Sequence, residues 1–369
     1  MFKCFQVLTN MDCNLRCKYC YEHTKNRGKN DPESVKKYLA TVLSNEDVRK
    51  DITSTAIEFI GGESLLYPKE LAEYMELILM YCGHNLPTIS ISTNGTLFGR
   101  ADVRDFLLSY GKYISLGISL DGIKECHDLN RVDINGQGSH DSIISNLDFI
   151  RSIIPSHRLT VKATFNHDTI RFYKDSILYL ISLGFTNIMA NTVYEEVWTD
   201  DDCELIFDAL RDVADYLIAN GLEDKVIVSQ VNSNGSNYRN LPIGLPKESN
   251  HCGSCEHMCC LGMDNKIYGC QRFATGFLHP TGSMDEVGNV SIENIDIMLE
   301  VQSQYMTYPE ECKQCQFITM CGNCALLPYE FGISSEEWLA QKRQCGYTKA
   351  VAYAHCYFAL QLEARNQNG

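Results

Sequence analysis

From residue 4 to about residue 220, short apolar or alternating runs take turns with longer stretches of helical character. The short runs predict strands at Cys4–Thr9, Thr55–Ile60, Thr88–Thr93, Ile114–Leu120, Leu159–Phe165 and Asn187–Asn191. The intervening stretches predict helices, Pro68–Tyr81 among them, where Pro68 suits a first helical turn. Strand followed by helix, repeated, predicts an α/β fold on a parallel sheet. Six such units are too few for a closed eight-stranded barrel, so a partial (β/α)6 TIM-like barrel or an open sheet is expected. Either arrangement puts a functional site at the carboxyl ends of the strands. The chemically unusual segments MDCNLRCKYC, GGES, NGT and DG all follow predicted strands.

The alternation fades beyond Asn220, and the polar stretch up to Asn250 is rich in Asn, Ser, Gly and Pro. Cysteine density then rises, with eleven of the eighteen cysteines falling from Cys252 to Cys356. Such a region is expected to fold around metal more than around a large apolar core. The expected division is therefore a barrel over 1–220, a linker over 221–250, a cysteine-rich C-terminal domain over 251–348 and a C-terminal helix over 349–369. Helical character extends from Ser335 to about Ala364, with Ser334 or Ser335 as cap and Glu336 and Glu337 in the first turn.

Composition narrows the function. Hydrophobic residues at 44% and charged residues at 21% describe a globular chain, without the long apolar run of a membrane span. The start, MFKCFQVLTN, has no export signal, so a cytoplasmic protein with no membrane partner is expected. Thiols stay reduced there, which turns eighteen cysteines toward metal binding or catalysis and away from disulfides. A net charge of −15 repels a phosphate backbone, so nucleic acid is not an expected partner.

Cys13, Cys17 and Cys20 put three thiols within eight residues. Three cysteines on a four-iron cubane leave one iron open to a ligand; the alternative is a zinc knuckle lacking its fourth ligand. With Tyr19 before the last cysteine, this spacing resembles the signature of the radical S-adenosylmethionine superfamily. The resemblance implies a [4Fe-4S] cluster whose open iron chelates the amino and carboxylate groups of S-adenosylmethionine, and reductive cleavage to a 5′-deoxyadenosyl radical. It also implies cofactor contacts for Gly61, Gly62 and Glu63 in FIGGE, for Ser92 and Asn94 in STNG, for Ser119 and Asp121 in SLDG, and for Arg131. Simple turn chemistry is the alternative reading of the Asn-Gly and Asp-Gly pairs.

The tail reads Cys312-x2-Cys315-x5-Cys321-x2-Cys324, followed by Cys345, with Cys252, Cys255, Cys259, Cys260 and Cys270 upstream. Paired CxxC elements also build zinc sites. Attached to such a barrel, however, the region resembles the SPASM extension, which carries two auxiliary four-iron clusters and brings the total to three. Asn265 stands where that pattern has Gly, and the interval from Cys321 to Cys324 is one residue short. Carried over, Cys312, Cys315, Cys321 and Cys345 ligate an outer cluster. Cys255, Cys270 and Cys324 ligate an inner one, completed by Cys252 or else by Cys259 or Cys260. Cys4, Cys82, Cys126, Cys203 and Cys356 lack ligand spacing and read as core residues.

SPASM enzymes mostly modify ribosomally made peptides. The resemblance thus implies a peptide or protein substrate, with oxidative thioether formation between a Cys sulfur and a peptide carbon as the favoured reaction. Sulfatase maturation is an alternative, but sulfatase-maturing enzymes usually carry Asp after the cysteine matching Cys270, where this chain has the neutral Gln271. Carbon–carbon crosslinking or epimerisation, and a non-catalytic iron–sulfur or zinc protein, are further alternatives. An external electron donor such as flavodoxin or ferredoxin is implied. No winged-helix leader-binding domain fits before Cys13, so leader recognition falls to a separate protein or to the enzyme's own surfaces.

Overall fold

The computed structural model describes residues 2–232, 252–303 and 307–368. In chain order its main elements are β1 (Cys4–Asn10), α1 (Pro32–Ser44), β2 (Ala56–Gly61), α2 (Pro68–Cys82), β3 (Thr88–Thr93), α3 (Ala101–Tyr110), β4 (Ile114–Ser119), β5 (Leu159–Phe165), α4 (Tyr173–Ser182), β6 (Asn187–Thr192) and α5 (Asp200–Ala219). They are followed by β7 (Ile227–Val228), β8 (Met258–Leu261), β9 (Lys266–Tyr268), α6 (Gln271–Gly276), β10 (Gly282–Met284), β11 (Val290–Ile292), α7 (Ser335–Ala340) and α8 (Cys345–Asn368). Two compact units form: Met1–Ile118 with Arg131–Arg158 and Cys252–Gln304, and Ser119–Asn130 with Leu159–His251 and Tyr305–Gly369.

In the first unit β1 to β4 are parallel neighbours, in registers such as Gln6↔Glu58, Ile57↔Ile89 and Ile91↔Leu116. Ile57, Phe59, Ile89, Ile91 and Leu116 are buried, and Phe59 stacks on Tyr74 of α2 at 5.7 Å, which identifies this as the helix-covered face. Strand alternation sends Gln6, Glu58, Ser90 and Ser92 to the opposite, polar face. Asp31 accepts from the Ser34 amide at the start of α1, and Pro32 occupies its first turn.

The cysteine-rich region contributes strands that its composition does not announce. β8 pairs in parallel with β1, from Cys4↔Met258 to Val7↔Leu261, and β9, β10 and β11 follow antiparallel. Cys259 and Cys260 lie buried in β8, where a thiol packs as a small hydrophobe.

In the second unit β5 and β6 pair in parallel from Val161↔Ile188 to Phe165↔Thr192, and β7 adds to β6. Of the segment 221–250, residues 227–228 are thus in the sheet, and 233–250 lie outside the described residues. Thr199 and Asp202 form a capping box at α5, and Tyr357 of α8 donates to Asp215 of α5 at 2.8 Å. The single helix expected from Ser335 is two. Ser334 caps α7 with Glu337, and the chain then turns through Lys342, at φ 53°, before α8 begins at Cys345. Cys356 is exposed on α8, not a core residue; Cys126 is buried, and Cys4, Cys82 and Cys203 are half-buried. Among the described residues no helix is long and apolar enough to cross a membrane.

Candidate functional site

The three-cysteine loop leaves the carboxyl end of β1 and is pinned by its backbone. Asp12 is the hub: its carboxylate accepts from the Gly28 amide at 2.9 Å and the Tyr67 hydroxyl at 2.5 Å, and its carbonyl accepts from the Glu63 amide at 2.8 Å. Arg16 turns its guanidinium back onto the carbonyls of Cys13 and Leu15, at 2.6 and 2.8 Å. Leu15 bridges to Asp133, and the Arg16 amide donates to the Val132 carbonyl at 2.6 Å. This brings Arg131 beside the loop, with its guanidinium 5.3 Å from the centre of the Tyr19 ring.

Gly61 and Gly62 are needed because β2 ends hard against that loop. A Cβ at Gly61 would stand 2.6 Å from the Asn10 carbonyl oxygen, and one at Gly62 2.3 Å from that of Asp12. Glu63 is buried, and both its oxygens are engaged: Oε1 accepts from Thr93 Oγ1 at 2.6 Å and the Leu65 amide at 3.0 Å, Oε2 from the Asn94 amide at 2.6 Å. Burial raises its carboxyl above the usual range while these bonds pull it down. Its visible work is to lock the end of β2 to the end of β3. Asn94 reaches on to the cysteine loop, donating to Asn14 at 2.9 Å and lying 3.9 Å from the Cys13 sulfur. Ser92 sits half-buried in β3 opposite Gly117.

Around the thiols themselves, the Leu15 amide lies 3.4 Å from the Cys13 sulfur and the Lys25 ammonium 3.1 Å from that of Cys20. Burial pushes the Cys13 thiol up to about 11, with Lys25 opposing. Burial also works against the Lys25 charge, but Cys20, Cys13 and Glu22 hold its pKa above the usual value. Tyr21 feels both Cys20 and Cys270, and Arg272 covers its ring at 5.2 Å. In the sequence Asp12 and Tyr21 adjoin Cys13 and Cys20, and Arg272 lies two residues from Cys270, a signal that points to all three; Lys25, five residues beyond Cys20, has no such signal.

Among the other upstream cysteines, Cys255 is buried at φ 62°, is influenced by Cys252, and has its sulfur so close to Gly269 that a Cβ there would be 2.5 Å away. Cys259 turns to the Tyr38 hydroxyl at 3.5 Å, and Cys260 lies on the other face of β8, influenced by Cys270. The Gln271 amide donates to Gln6 Oε1 at 2.8 Å, and Gln6 Nε2 donates to Glu58 at 2.9 Å.

In the second unit burial raises the Cys312 thiol above its usual pKa, with Glu311, Cys345 and Cys315 adding to the rise, and Cys345 also adds to that of Cys321. Burial pushes the Cys321 thiol up to about 11, against donation from Thr348 and Asn323. Cys324 packs on the cluster of Leu327, Trp338 and Leu339. Asp121 is fully buried; its carboxylate accepts from the Thr164 amide at 2.9 Å, and its own amide donates to His127 Nδ1 at 3.1 Å. Gly122 follows at φ 114°, with Ser176 2.0 Å from where a Cβ would be, and Ser119 ends β4.

Residues 8–210, more than half of the chain, match the family model described as the Radical SAM superfamily. The chain belongs to the radical SAM superfamily. It is similar to a cysteine-type anaerobic sulfatase-maturating enzyme of Clostridium novyi (strain NT), 32% identical over 140 residues, an alignment covering 37% of each chain. A cysteine-type anaerobic sulfatase-maturating enzyme of Clostridium perfringens (strain 13 / Type A) is 24% identical over 352 residues, 85% of each. Among solved structures, native anSMEcpe with bound AdoMet superposes with a TM-score of 0.72 at 20% identity, over 99% of each chain. Streptococcus suis SuiB bound to precursor peptide SuiA does so with a TM-score of 0.56 at 14% identity, over 91% of this chain and 74% of that one. These superpositions establish the shared α/β fold.

A radical SAM enzyme carries a [4Fe-4S] cluster and S-adenosylmethionine, and the donor set here suits the cluster. Among the described residues no three His, Cys, Asp or Glu side chains are placed to hold a single metal ion. The Cys13 and Cys20 sulfurs face N–H and ammonium donors, the partners that thiolates on an iron–sulfur cluster take.

Proposed function

We propose that the chain oxidatively modifies a peptide or protein substrate, with Cys13, Cys17 and Cys20 holding the cluster that starts the reaction. The observation that carries this is the three-cysteine loop, pinned at the carboxyl end of β1 by Asp12, Arg16 and the GGE turn. Bound there, a [4Fe-4S] cluster supplies the electron for reductive cleavage of S-adenosylmethionine. The chain's own residues set the frame: Lys25 offsets thiolate charge, Glu63 fixes the strand ends, and Arg131 on Tyr19 offers a cation for a carboxylate. Peptide binding by two of the solved neighbours, anSMEcpe with Cp18Cys peptide and SuiB with SuiA, supports a peptide substrate.

The favoured reaction is thioether formation, because Gln271 cannot take a proton as a carboxylate does. Formylglycine formation is the second reading. It is supported by the C. perfringens relative, alike over 85% of each chain, and by Glu58, a carboxylate joined to the Gln271 backbone through Gln6. Mass spectrometry of co-expressed candidate peptides separates them. A crosslink that loses two hydrogens and does not react with a hydrazide supports the first; a hydrazide-reactive aldehyde replaces it with the second.

Two auxiliary four-iron clusters are part of this proposal, one on Cys312, Cys315, Cys321 and Cys345 and one including Cys252, Cys255 and Cys270. Anaerobic reconstitution is then expected to give about 12 irons per chain. Changing Cys312 and Cys315 to Ala is expected to lower that content by about four, to spare part of the S-adenosylmethionine cleavage and to abolish peptide product. Zinc without iron would remove the reading. A flavodoxin- or ferredoxin-type donor would supply the electron, and a separate leader-binding protein or the enzyme's own surface would hold the substrate.

A further inference from the structure

Lys25 is placed by the return of the chain from the cysteine loop to the end of β1. The Asn26 amide donates to the Met11 carbonyl at 3.1 Å, the Asn26 side-chain oxygen accepts from Arg16 at 3.2 Å, and the Met11 amide donates to the Gly28 carbonyl at 2.9 Å. With the backbone held beside it, the Lys25 side chain lies half-buried and its ammonium donates to the Cys20 sulfur at 3.1 Å. Lys29 and Lys36, by contrast, pair with the carboxylates of Glu70 and Glu73. Among the described residues the Cys20 sulfur is the one hydrogen-bond partner of the Lys25 ammonium. Glu22, three residues earlier, is buried with Oε2 lacking a partner among the described residues, yet it does not take that ammonium. The cation is thus left to the sulfurs, and its field reaches Cys13 as well as Cys20.

We propose that Lys25 sets the reduction potential of the cluster on Cys13, Cys17 and Cys20, raising it so that a flavodoxin- or ferredoxin-type donor can deliver the electron. This rests on the cluster assignment proposed above. In the step concerned the donor loses one electron and the cluster gains it; no bond forms or breaks and no proton moves. Three thiolates on a doubly positive four-iron core carry one net negative charge, and the electron makes it two. An ammonium against a ligand sulfur attracts the second state more strongly than the first, so it favours reduction. Half-burial spares that attraction part of the screening it would meet in water. The Leu15 amide, 3.4 Å from the Cys13 sulfur, is a dipole and acts in the same sense with less force. Net charge and hydrogen bonds at the sulfurs are the means by which a protein tunes such a cluster. Lys25 supplies both in one group, as a compact charge with N–H donors.

Redox titration of the reconstituted full chain, followed by electron paramagnetic resonance before S-adenosylmethionine is added, tests this. The signal of this cluster is recognised by its change on later addition of S-adenosylmethionine, which an open iron permits. Lys25→Met is expected to shift the one-electron equilibrium about ten-fold toward the oxidised state, a potential lower by about 59 mV. Lys25→Arg, which keeps the charge, should stay near the wild type. Cleavage of S-adenosylmethionine by Lys25→Met should fall about ten-fold with flavodoxin as donor and recover with titanium(III) citrate, a stronger reductant. A defect of folding alone would not recover in this way. An unchanged potential in Lys25→Met, with the responsive signal present, overturns the role of Lys25 and leaves the cluster assignment standing. An unchanged potential joined to weaker S-adenosylmethionine binding overturns it too, and gives the ammonium to that ligand instead. No responsive signal from the wild type removes the assignment and the inference together. Should Lys25→Met assemble no cluster, wild-type chain carrying isotope-labelled lysine nitrogen decides. A hyperfine coupling between that nitrogen and the reduced cluster is expected, and its absence would overturn the contact.

Discussion

Ala in place of Cys13, Cys17 and Cys20 together is expected to abolish formation of 5′-deoxyadenosine from S-adenosylmethionine and leave the fold intact. The loop that carries these residues is held by groups other than sulfur. Asp12 binds Gly28, Tyr67 and the Glu63 amide, Arg16 binds two carbonyls of the loop, and Leu15 bridges to Asp133. Cys17 and Cys20 are half-buried and Cys13 is buried, so of the three sulfurs only that of Cys13 leaves space behind in the core. Thermal unfolding should shift by the equivalent of about 1 kcal/mol per site or less. The chemical loss should be total, because without thiolates no electron reaches the sulfonium; for an enzyme-catalysed step that is a fall of about a million-fold or more. Product analysis by mass spectrometry, with circular dichroism as control, reads both quantities. Cleavage persisting in the triple variant would sink the assignment.

The strands were legible because each has one face to bury. Leu159–Phe165 is found as predicted, and Ile114–Leu120 ends one residue earlier, at Ser119. Alternation of the kind in TISIST announces a half-buried strand whatever lies beside it. β8 is illegible for the opposite reason: in MCCL the cysteines suggest metal ligands, while their burial beside β1 depends on a partner strand some 250 residues away. The break before α8 has neither Pro nor Gly to mark it, since Lys342 itself takes the left-handed turn. At the site, the motif residues could be named from the sequence but not their partners. Glu63 is expected as a cofactor contact, and its bonds within the chain run to Thr93, Leu65 and Asn94; which donors surround a carboxylate is a property of the packed strand ends.

Gly62→Ala is expected to disable the same chemistry through packing alone. The added methyl would fall 2.3 Å from the Asp12 carbonyl oxygen and 3.1 Å from Cys13 Cβ. The first of these neighbours is backbone, so no rotamer change relieves the overlap; either the GGE turn or the cysteine loop must move. Both routes disturb the Glu63 amide bond to the Asp12 carbonyl, and a shift of Asp12 carries Cys13 with it. Overpacking of this kind costs about 1–3 kcal/mol, too little to unfold a chain of this size and enough to displace a loop. The expected result is native-like circular dichroism, roughly a third less iron if three clusters bind independently, and loss of 5′-deoxyadenosine. Gly99→Ala is the control: it is exposed, its Cβ would meet nothing nearer than 3.6 Å, and its effect should stay within about 0.5 kcal/mol. The iron measurement distinguishes two roles for the glycine. If Gly62 serves only to let S-adenosylmethionine approach, the variant keeps its full iron content and binds that ligand weakly. If it serves to seat the cysteine loop against β2, iron is lost whether or not the ligand is present, and the contact with Asp12 makes the second outcome the expected one.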